Sequence, residues 1–382
     1  MLSWSFAAAA LLLVLVSAAL PARHRPLGMA ALSFAAVGVV WHVPVVPVLG
    51  ASLAVYGIGR VLPRLPAAAC RWTLAATVAT VVAALGLVKA HAAPPRNLAG
   101  VAPVLGLSYF ALKFIQHLVD AGAGRAQQVD LSGFLCSIFF LSTYPAGPIE
   151  RTGDFARGLA APPGWSDRAL GVERVVVGLG KKFLLAQPLL SWADPRFRAA
   201  TAAPRGQLLL AVYAFALGLY LDFAAYSDVA IGVARGAGVR VRENFDHPFV
   251  RRNLGLLWQH WHMSLTSWLR DFVFVPVARR LLRVTRRPLL AQITGQTATM
   301  LACGLWHGVS AGFVLWGAYQ AAGLAVLGAW RAWRGPAPAS APVRDALATL
   351  ATFHFFAFGL VLFACDVPIA ALVVGRALRV LP

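Results

Sequence analysis

Apolar residues along this chain fall in long blocks separated by short basic links, a pattern that predicts helices dissolved in lipid rather than one core dissolved in water. Residues 4–20, 72–88, 208–221 with their flanks, and 309–330 approach the roughly 20 apolar positions a helix needs to cross a bilayer. The links carry Arg23 and Arg25; Arg60, Arg64 and Arg71; Arg125; Arg235, Arg240 and Arg242; the arginines between 279 and 287; Arg331 and Arg334; and Arg376 and Arg379. Placing each of these links on the cytoplasmic side lets the apolar runs alternate across the membrane. The pattern then predicts an all-α, polytopic membrane protein with about eleven transmembrane helices. Residues 27–62 become a hairpin that turns outside near His42-Val43-Pro44, where proline favours a helix break. No Lys or Arg precedes the first run, so it reads as a retained helix with its N-terminus outside rather than as a cleaved leader.

Two stretches do not cross under this rule. Residues 131–149 have basic residues on both sides and a Pro145-Ala-Gly-Pro148 interruption, and residues 253–277 are likewise flanked by arginines. Both are expected to be re-entrant. Irregular backbone at membrane depth is tolerated only where protein or a water-filled cavity satisfies it, so such segments often mark where a substrate sits.

Composition agrees with this picture. Of 382 residues, 59% are hydrophobic and 13% charged, against roughly 25% charged in a soluble domain, and the mean hydropathy is +0.70. The formal net charge of +20 would in a soluble chain point to nucleic acid, but the arginines sit in topology-setting links, where anionic lipid or an acidic carrier protein are the natural partners. Cys70, Cys136, Cys303 and Cys365 are too scattered for a metal pair or a disulfide framework. With no repeat and one low-complexity link, residues 335–342, the chain reads as a single integral membrane domain spanning residues 1–382.

Three segments carry candidate chemistry. Taken as one helix, residues 258–271 place Trp258, Trp261, His262, Leu265 and Trp268 on one face and His260, Ser264, Ser267 and Asp271 on the other, so His262 is expected among tryptophans. A structural histidine tied to a neighbouring carbonyl is the competing reading. In Gly304-Leu-Trp-His-Gly308, glycines four apart bracket His307 and would let another backbone approach. An intramembrane imidazole with an ordinary pKa near ~6.5 suits proton transfer; a packing histidine at a helix junction is the alternative. Within Tyr220-Leu-Asp222-Phe-Ala-Ala-Tyr226-Ser-Asp228, two carboxylates interrupt an apolar run. They either line a polar path or pair with Arg251, Arg252 or Arg270, and the pairing is preferred because buried carboxylates need partners. Lys113, Gln116, His117 and Asp120 admit the same two readings, with Lys113 and Asp120 sharing one helical face. No zinc-protease pattern, phosphate-cradling loop or nucleophile elbow is present, and His260 and His262 would lie on nearly opposite faces, so neither a metal nor a bound cofactor is expected.

Together with Glu243-Asn244-Phe-Asp-His-Pro-Phe249, Trp268-Leu-Arg270-Asp271, Gly106-Leu-Ser-Tyr-Phe110 and Ala146-Gly-Pro-Ile149, these segments resemble, in order over roughly residues 100–320, the membrane-bound O-acyltransferases. The resemblance is strongest to the bacterial branch that modifies alginate and teichoic acid. It implies a bowl of tilted helices around a tunnel, and it implies His307 as the catalytic residue with His262 at the family's earlier histidine or asparagine position. Trp258, Trp261, Trp306, Asn244, Asp222, Tyr226, Asp228, Ser264, Arg270 and Asp271 are the residues expected to line the tunnel. One departure is that Gln259 and His260 stand where the family commonly carries two basic residues.

The resemblance implies direct transfer from an acyl thioester, on coenzyme A or on an acyl carrier protein, to a hydroxyl of a cell-envelope polysaccharide or of an extracytoplasmic acyl-accepting protein. The expected location is the inner membrane, in contact with lipid and with no nucleic-acid partner. Asp222, Asp228 and Lys113 are also what an ion pathway contains, so a transporter, or a non-enzymatic component of an export system, is the alternative.

Overall fold

The structure, a computed structural model, describes residues 2–91, 102–125, 129–159, 164–335 and 341–379. The described residues form helices and connecting turns without a strand, as an all-α chain in lipid must, since each helix satisfies its own backbone. Residues 336–340 of the low-complexity link and residues 380–382 lie outside the described residues. Among the described residues, five helices are long and apolar enough to cross a membrane: Val45–Arg64, Ala67–His91, Arg205–Gly236, Ala311–Arg334 and Pro342–Ala364. Trp4–Ala19, Arg25–Trp41 and Val367–Ala377 are shorter apolar helices. Ala67–His91 has no buried residue at all, which is consistent with a helix that lipid rather than protein surrounds.

Two compact units are formed, one by Met1–Leu179 with Tyr226–Glu243, the other by Gly180–Ala225 with Asn244–Pro382. In the first, the expected break in the 27–62 hairpin is present. Helix Arg25–Trp41 ends where His42 takes a left-handed conformation (φ 52°), and helix Val45–Val61 begins after Pro44. An aromatic core of Phe6, Trp41, Phe110, Phe134, Phe139 and Tyr144 fills the unit, with Trp41 and Tyr144 centroids 5.1 Å apart.

The first irregular stretch lies within this unit. Asp130 caps helix Leu131–Phe139 by accepting from the Gly133 N–H at 3.0 Å, a 3-10 turn Leu141–Thr143 follows, and a cis Gly147–Pro148 bond closes the loop. Every residue from 136 to 150 is buried, so its backbone groups need internal partners. Several are supplied by side chains far away in sequence. Tyr226 Oη donates to the Ser142 carbonyl at 2.8 Å and accepts from the Ala146 N–H at 3.2 Å. Lys113 Nζ donates to the Ser137 carbonyl at 2.7 Å, and Ser33 Oγ accepts from the Leu141 N–H at 3.2 Å. At the segment's end the Glu150 carboxylate accepts from the Arg242 N–H and lies 3.3 Å from its guanidinium.

These contacts correct two expectations. Lys113 is tied to a carbonyl rather than to Asp120, which instead pairs with Arg125 at 2.7 Å and lies 3.8 Å from Arg151. Seven residues of helix separate Lys113 from Asp120 by roughly 10 Å along the axis, and a nearer partner wins for each. Asp228 pairs with Arg174 at 2.9 Å, and Arg174 with Glu243 at 2.6 Å, so the arginine comes from helix Trp165–Gly180 and not from the 251–270 region.

The second unit carries the remaining histidine segments. Its closest helix pair is Pro288–His307 against Ala311–Arg334. A Cβ at Gly304 would collide with the Phe313 carbonyl, and one at Gly317 would lie 2.6 Å from the Met300 carbonyl. Glycine at these crossing points lets the two backbones touch.

Candidate functional site

The stretch expected as one helix over 258–271 is broken in two places. Helix Leu254–His260 starts at Asn253, whose side chain accepts from the Leu256 N–H at 3.0 Å, and ends at an extended Trp261. His262 then adopts a left-handed conformation, φ 42° and ψ 53°, and helix Met263–Leu269 begins. A π-helical turn, Arg270–Phe274, leads into helix Val275–Thr285. The helical-face grouping of Trp258, Trp261 and His262 therefore does not hold, because reversal of the chain at 261–262 sends consecutive side chains in different directions.

Asn244 fixes that reversal. His262 offers no side-chain cap to the new helix, and Asn244 supplies one from a distance. Its backbone carbonyl accepts from the Met263 N–H at 2.8 Å, and its Oδ1 accepts from Ser264 Oγ at 2.9 Å and Ser264 N–H at 3.4 Å. Asn244 is fully buried and Ser264 nearly so. Substituting for the missing cap satisfies amide groups that a buried helix start would otherwise leave orphaned.

His262 is 3% exposed. Its ring lies 4.7 Å from Phe223, edge to face, and 6.3 Å from Trp306, so its neighbours include a phenylalanine as well as a tryptophan. Trp261 packs in an aromatic group with Phe245, Phe249, Phe356 and Tyr220, which Phe223 joins to His262 through Phe245. Trp258 packs against Trp316 at 5.8 Å and donates its Nε1–H to Gln320 Oε1 at 3.3 Å.

His307 is the last residue of helix Pro288–His307 and is half-buried. Trp306 at 4.8 Å, Phe363 at 4.8 Å, Trp316 at 5.5 Å and Phe313 at 6.0 Å surround its ring. The close approach expected at the two glycines is present in different forms: a Cβ at Gly304 would meet a backbone carbonyl, whereas one at Gly308 would lie 2.6 Å from the Phe313 ring. Trp306 is thus in ring contact with both histidines. Phe223, Phe313, Trp316, Gln320 and Phe363 were not singled out from the sequence. The spacing of Phe313, Trp316 and Gln320 places them on one face of a helix that begins just after His307, and that was the available signal.

Other expected residues have different settings. Asp222 pairs with Lys182 rather than with Arg251, which bonds Asp246 at 2.8 Å, or Arg252, which reaches Asp345 at 3.3 Å. Arg270 pairs with the adjacent Asp271 at 3.0 Å. Tyr226 and Asp228 belong to the first unit, with the contacts given above. At the mouth of the broken segment, a hydrogen bond from His247 and the charge of Arg251 hold the Asp246 carboxyl below the usual carboxylate range. His260 Nδ1 lies 2.8 Å from the Leu256 carbonyl, and Nε2 lies 3.5 Å from Asp246. Among the described residues no group of three or more His, Cys, Asp or Glu side chains is placed to hold a metal.

Beside this geometry, one buried and one half-buried imidazole around a shared tryptophan, stands the family model that matches residues 68–364, that of MBOAT, the membrane-bound O-acyltransferase family. The chain belongs to that family. It is accordingly a multi-pass membrane protein of the acyl-transferring class, which supports that reading over the transporter alternative. The chain is 28% identical over 283 residues to a teichoic acid D-alanyltransferase of Bacillus subtilis, covering 71% of this chain and 70% of that one. It is 30% identical over 258 residues to the "Probable alginate O-acetylase AlgI" of Pseudomonas fluorescens, covering 67% of this chain and 50% of that one. A peptidoglycan O-acetyltransferase of Helicobacter pylori matches at 29% over 206 residues, covering 51% of this chain and 38% of that one. The chain thus spans half or less of the length of the latter two relatives.

Proposed function

We propose that this membrane-bound O-acyltransferase moves an acetyl or D-alanyl group from a cytoplasmic thioester, on coenzyme A or a carrier protein, across the inner membrane. The acceptor is a hydroxyl of a cell-envelope polysaccharide, or of an extracytoplasmic protein that passes the group on. The relatives' named activities, on teichoic acid, alginate and peptidoglycan, support an envelope polymer as the final acceptor.

The observation that carries the assignment of His307 is its position. It stands half-buried at the carbonyl end of a 20-residue helix, and that end favours positive charge. An imidazole there can take the acceptor's proton and hold it as imidazolium while the hydroxyl oxygen attacks the thioester carbonyl. His262, buried at the amide end of its helix, is suited to staying neutral and orienting a reactant through one hydrogen bond. The aromatic rings around His307 are suited to excluding water, which would otherwise hydrolyse the thioester, once the reactants are bound. Arg279, Arg280, Arg283, Arg286 and Arg287 are all exposed and form a cationic surface suited to donor phosphates or an acidic carrier.

Replacing His307 with Ala in the native host, with envelope ester content and protein abundance measured together, tests this. Ester is expected to vanish at normal abundance. Unchanged ester at normal abundance would rule out His307 as the base.

A further inference from the structure

Two buried N–H donors on helix Ala311–Arg334 have no acceptor among the described residues: Trp316 Nε1, on a residue 2% exposed whose ring meets His307, and Gln320 Nε2, one turn further along, on a residue with no exposure. Leaving a buried donor unmade costs about 1–3 kcal/mol, so two on one helix call for a physical account. They are four residues apart on Ala311–Arg334 and therefore one turn apart on the same face. Trp258 ties them to one place. Its ring packs on Trp316 at 5.8 Å, and its Nε1–H occupies Gln320 Oε1 at 3.3 Å.

That last bond also fixes which way the amide faces. Turning the Gln320 amide over would set its NH2 against the Trp258 N–H, donor against donor, so Nε2 must face away from Trp258. Gly359 makes the room: a Cβ there would lie 2.8 Å from Nε2. Trp316, for its part, meets the His307 ring edge to face at 5.5 Å and 89°. A cluster with a candidate base and two preset, unspent donors has the components for stabilising a carbonyl oxygen as it becomes negative.

We infer that Trp316 Nε1–H and Gln320 Nε2–H form the oxyanion-binding pair for the thioester carbonyl, an inference that rests on the acyl-transfer reading of His307. In the step they serve, the acceptor oxygen forms a bond to the carbonyl carbon and the C=O π pair moves onto oxygen, where both N–H groups receive it. His307 takes the hydroxyl proton. Collapse restores the carbonyl and breaks the C–S bond, and the departing thiolate recovers the proton from His307. Trp258 is a positioning residue, holding the Gln320 amide in its working orientation.

The test uses purified full-length protein with acetyl-coenzyme A and its carrier-linked counterpart as donors, comparing wild type with His307→Ala, Trp316→Phe and Gln320→Met. Loss of one oxyanion donor typically lowers kcat by about 10²–10³-fold, so Trp316→Phe and Gln320→Met are each expected to lose kcat on that scale with KM nearly unchanged. Either variant turning over at the wild-type kcat while His307→Ala is inactive overturns the pair and leaves the acyl-transfer reading standing. Equal activity of wild type and His307→Ala overturns both. A second measurement needs no variant to fold: the carbonyl stretch of a ¹³C-labelled ketone analogue of acetyl-coenzyme A, with CH2 in place of sulfur, bound to the wild-type protein. A shift to lower frequency than in water is expected, and an unshifted band in the bound analogue overturns the proposal.

Discussion

His262 and His307 each follow a tryptophan and each touch Trp306, yet their surroundings are opposite. His262 begins a helix, is 3% exposed, and holds a left-handed backbone that few side chains tolerate. His307 ends a helix, has ordinary helical backbone and is half-buried. The same side chain is thereby given two different jobs by its backbone context. At the amide end of a helix a positive charge is disfavoured, at the carbonyl end favoured, so only one of the two is placed to become an imidazolium during a reaction. The strain at His262 implies that its exact direction matters, because the surrounding contacts must over-determine such a conformation.

The largest effect that can break this contrast is expected at His307. His307→Gln keeps a hydrogen-bonding side chain but cannot take a proton, and a positioned base contributes about 10²–10⁴-fold in rate. Transfer by purified protein should fall on that scale with little change in the thermal midpoint. At His262 the outcome should depend on shape and backbone tolerance. His262→Asn, which tolerates positive φ and retains a polar end, should keep more activity than His262→Val, whose branched side chain at φ 42° should cost about 1–3 kcal/mol in stability. Equal loss of rate in His307→Gln and His262→Asn, with both folded, would show that the two rings share one job.

The sequence made the contrast only partly visible. Hydropathy blocks located the spanning helices, and Pro44 located the turn between the second and third helices, because lipid solvation and proline act locally. The close packing around His307 was legible from its flanking glycines, whose effect is also local. The reversal at Trp261–His262 was not, since the periodicity of residues 258–271 runs through it unbroken and the element that imposes it, Asn244, lies 18 residues upstream of His262. Nor were the partners of Asp222 and Asp228. The need for a cation followed from burial, but which cation depends on how Lys182 and Arg174 are brought back by helices distant in sequence. Trp316 and Gln320 lie within the apolar run 309–330 and read there as ordinary helix residues, because an orphaned donor is a property of packing and has no sequence signature.

A smaller effect sharpens the account of how His262 is held. Asn244→Ala removes the acceptor of Ser264 Oγ and N–H, both buried, at a cost of about 1–3 kcal/mol for each group left unsatisfied. Ser264→Ala removes only one donor and should cost about 1 kcal/mol. A double-mutant cycle between the two, read by thermal unfolding in detergent, should give a coupling within the roughly 0.5–3 kcal/mol expected of directly contacting residues. Additive effects would mean that Asn244 does not fasten the start of helix Met263–Leu269.

The smallest effect concerns the outer end of the same break. The Asp246 N–H donates to the His260 carbonyl at 3.0 Å, while Arg251 donates to both the Asp246 carbonyl and carboxylate. Because the bond from His247 and the Arg251 charge lower the folded-state pKa of Asp246, its carboxylate stabilises the fold above the ordinary aspartate pKa near ~3.9. That contribution should disappear as pH falls through the lowered folded value. Wild type should therefore unfold at a slightly higher temperature than Asp246→Asn at pH 7, and the gap should close below about pH 4. The pair is solvent-exposed, so added salt should narrow the gap at pH 7 as well. His307 lies on a different chain segment, and its transfer rate relative to wild type should not follow this transition; a rate loss in Asp246→Asn that tracks the closing gap would instead make the 246–260 link part of the machinery that orients His262.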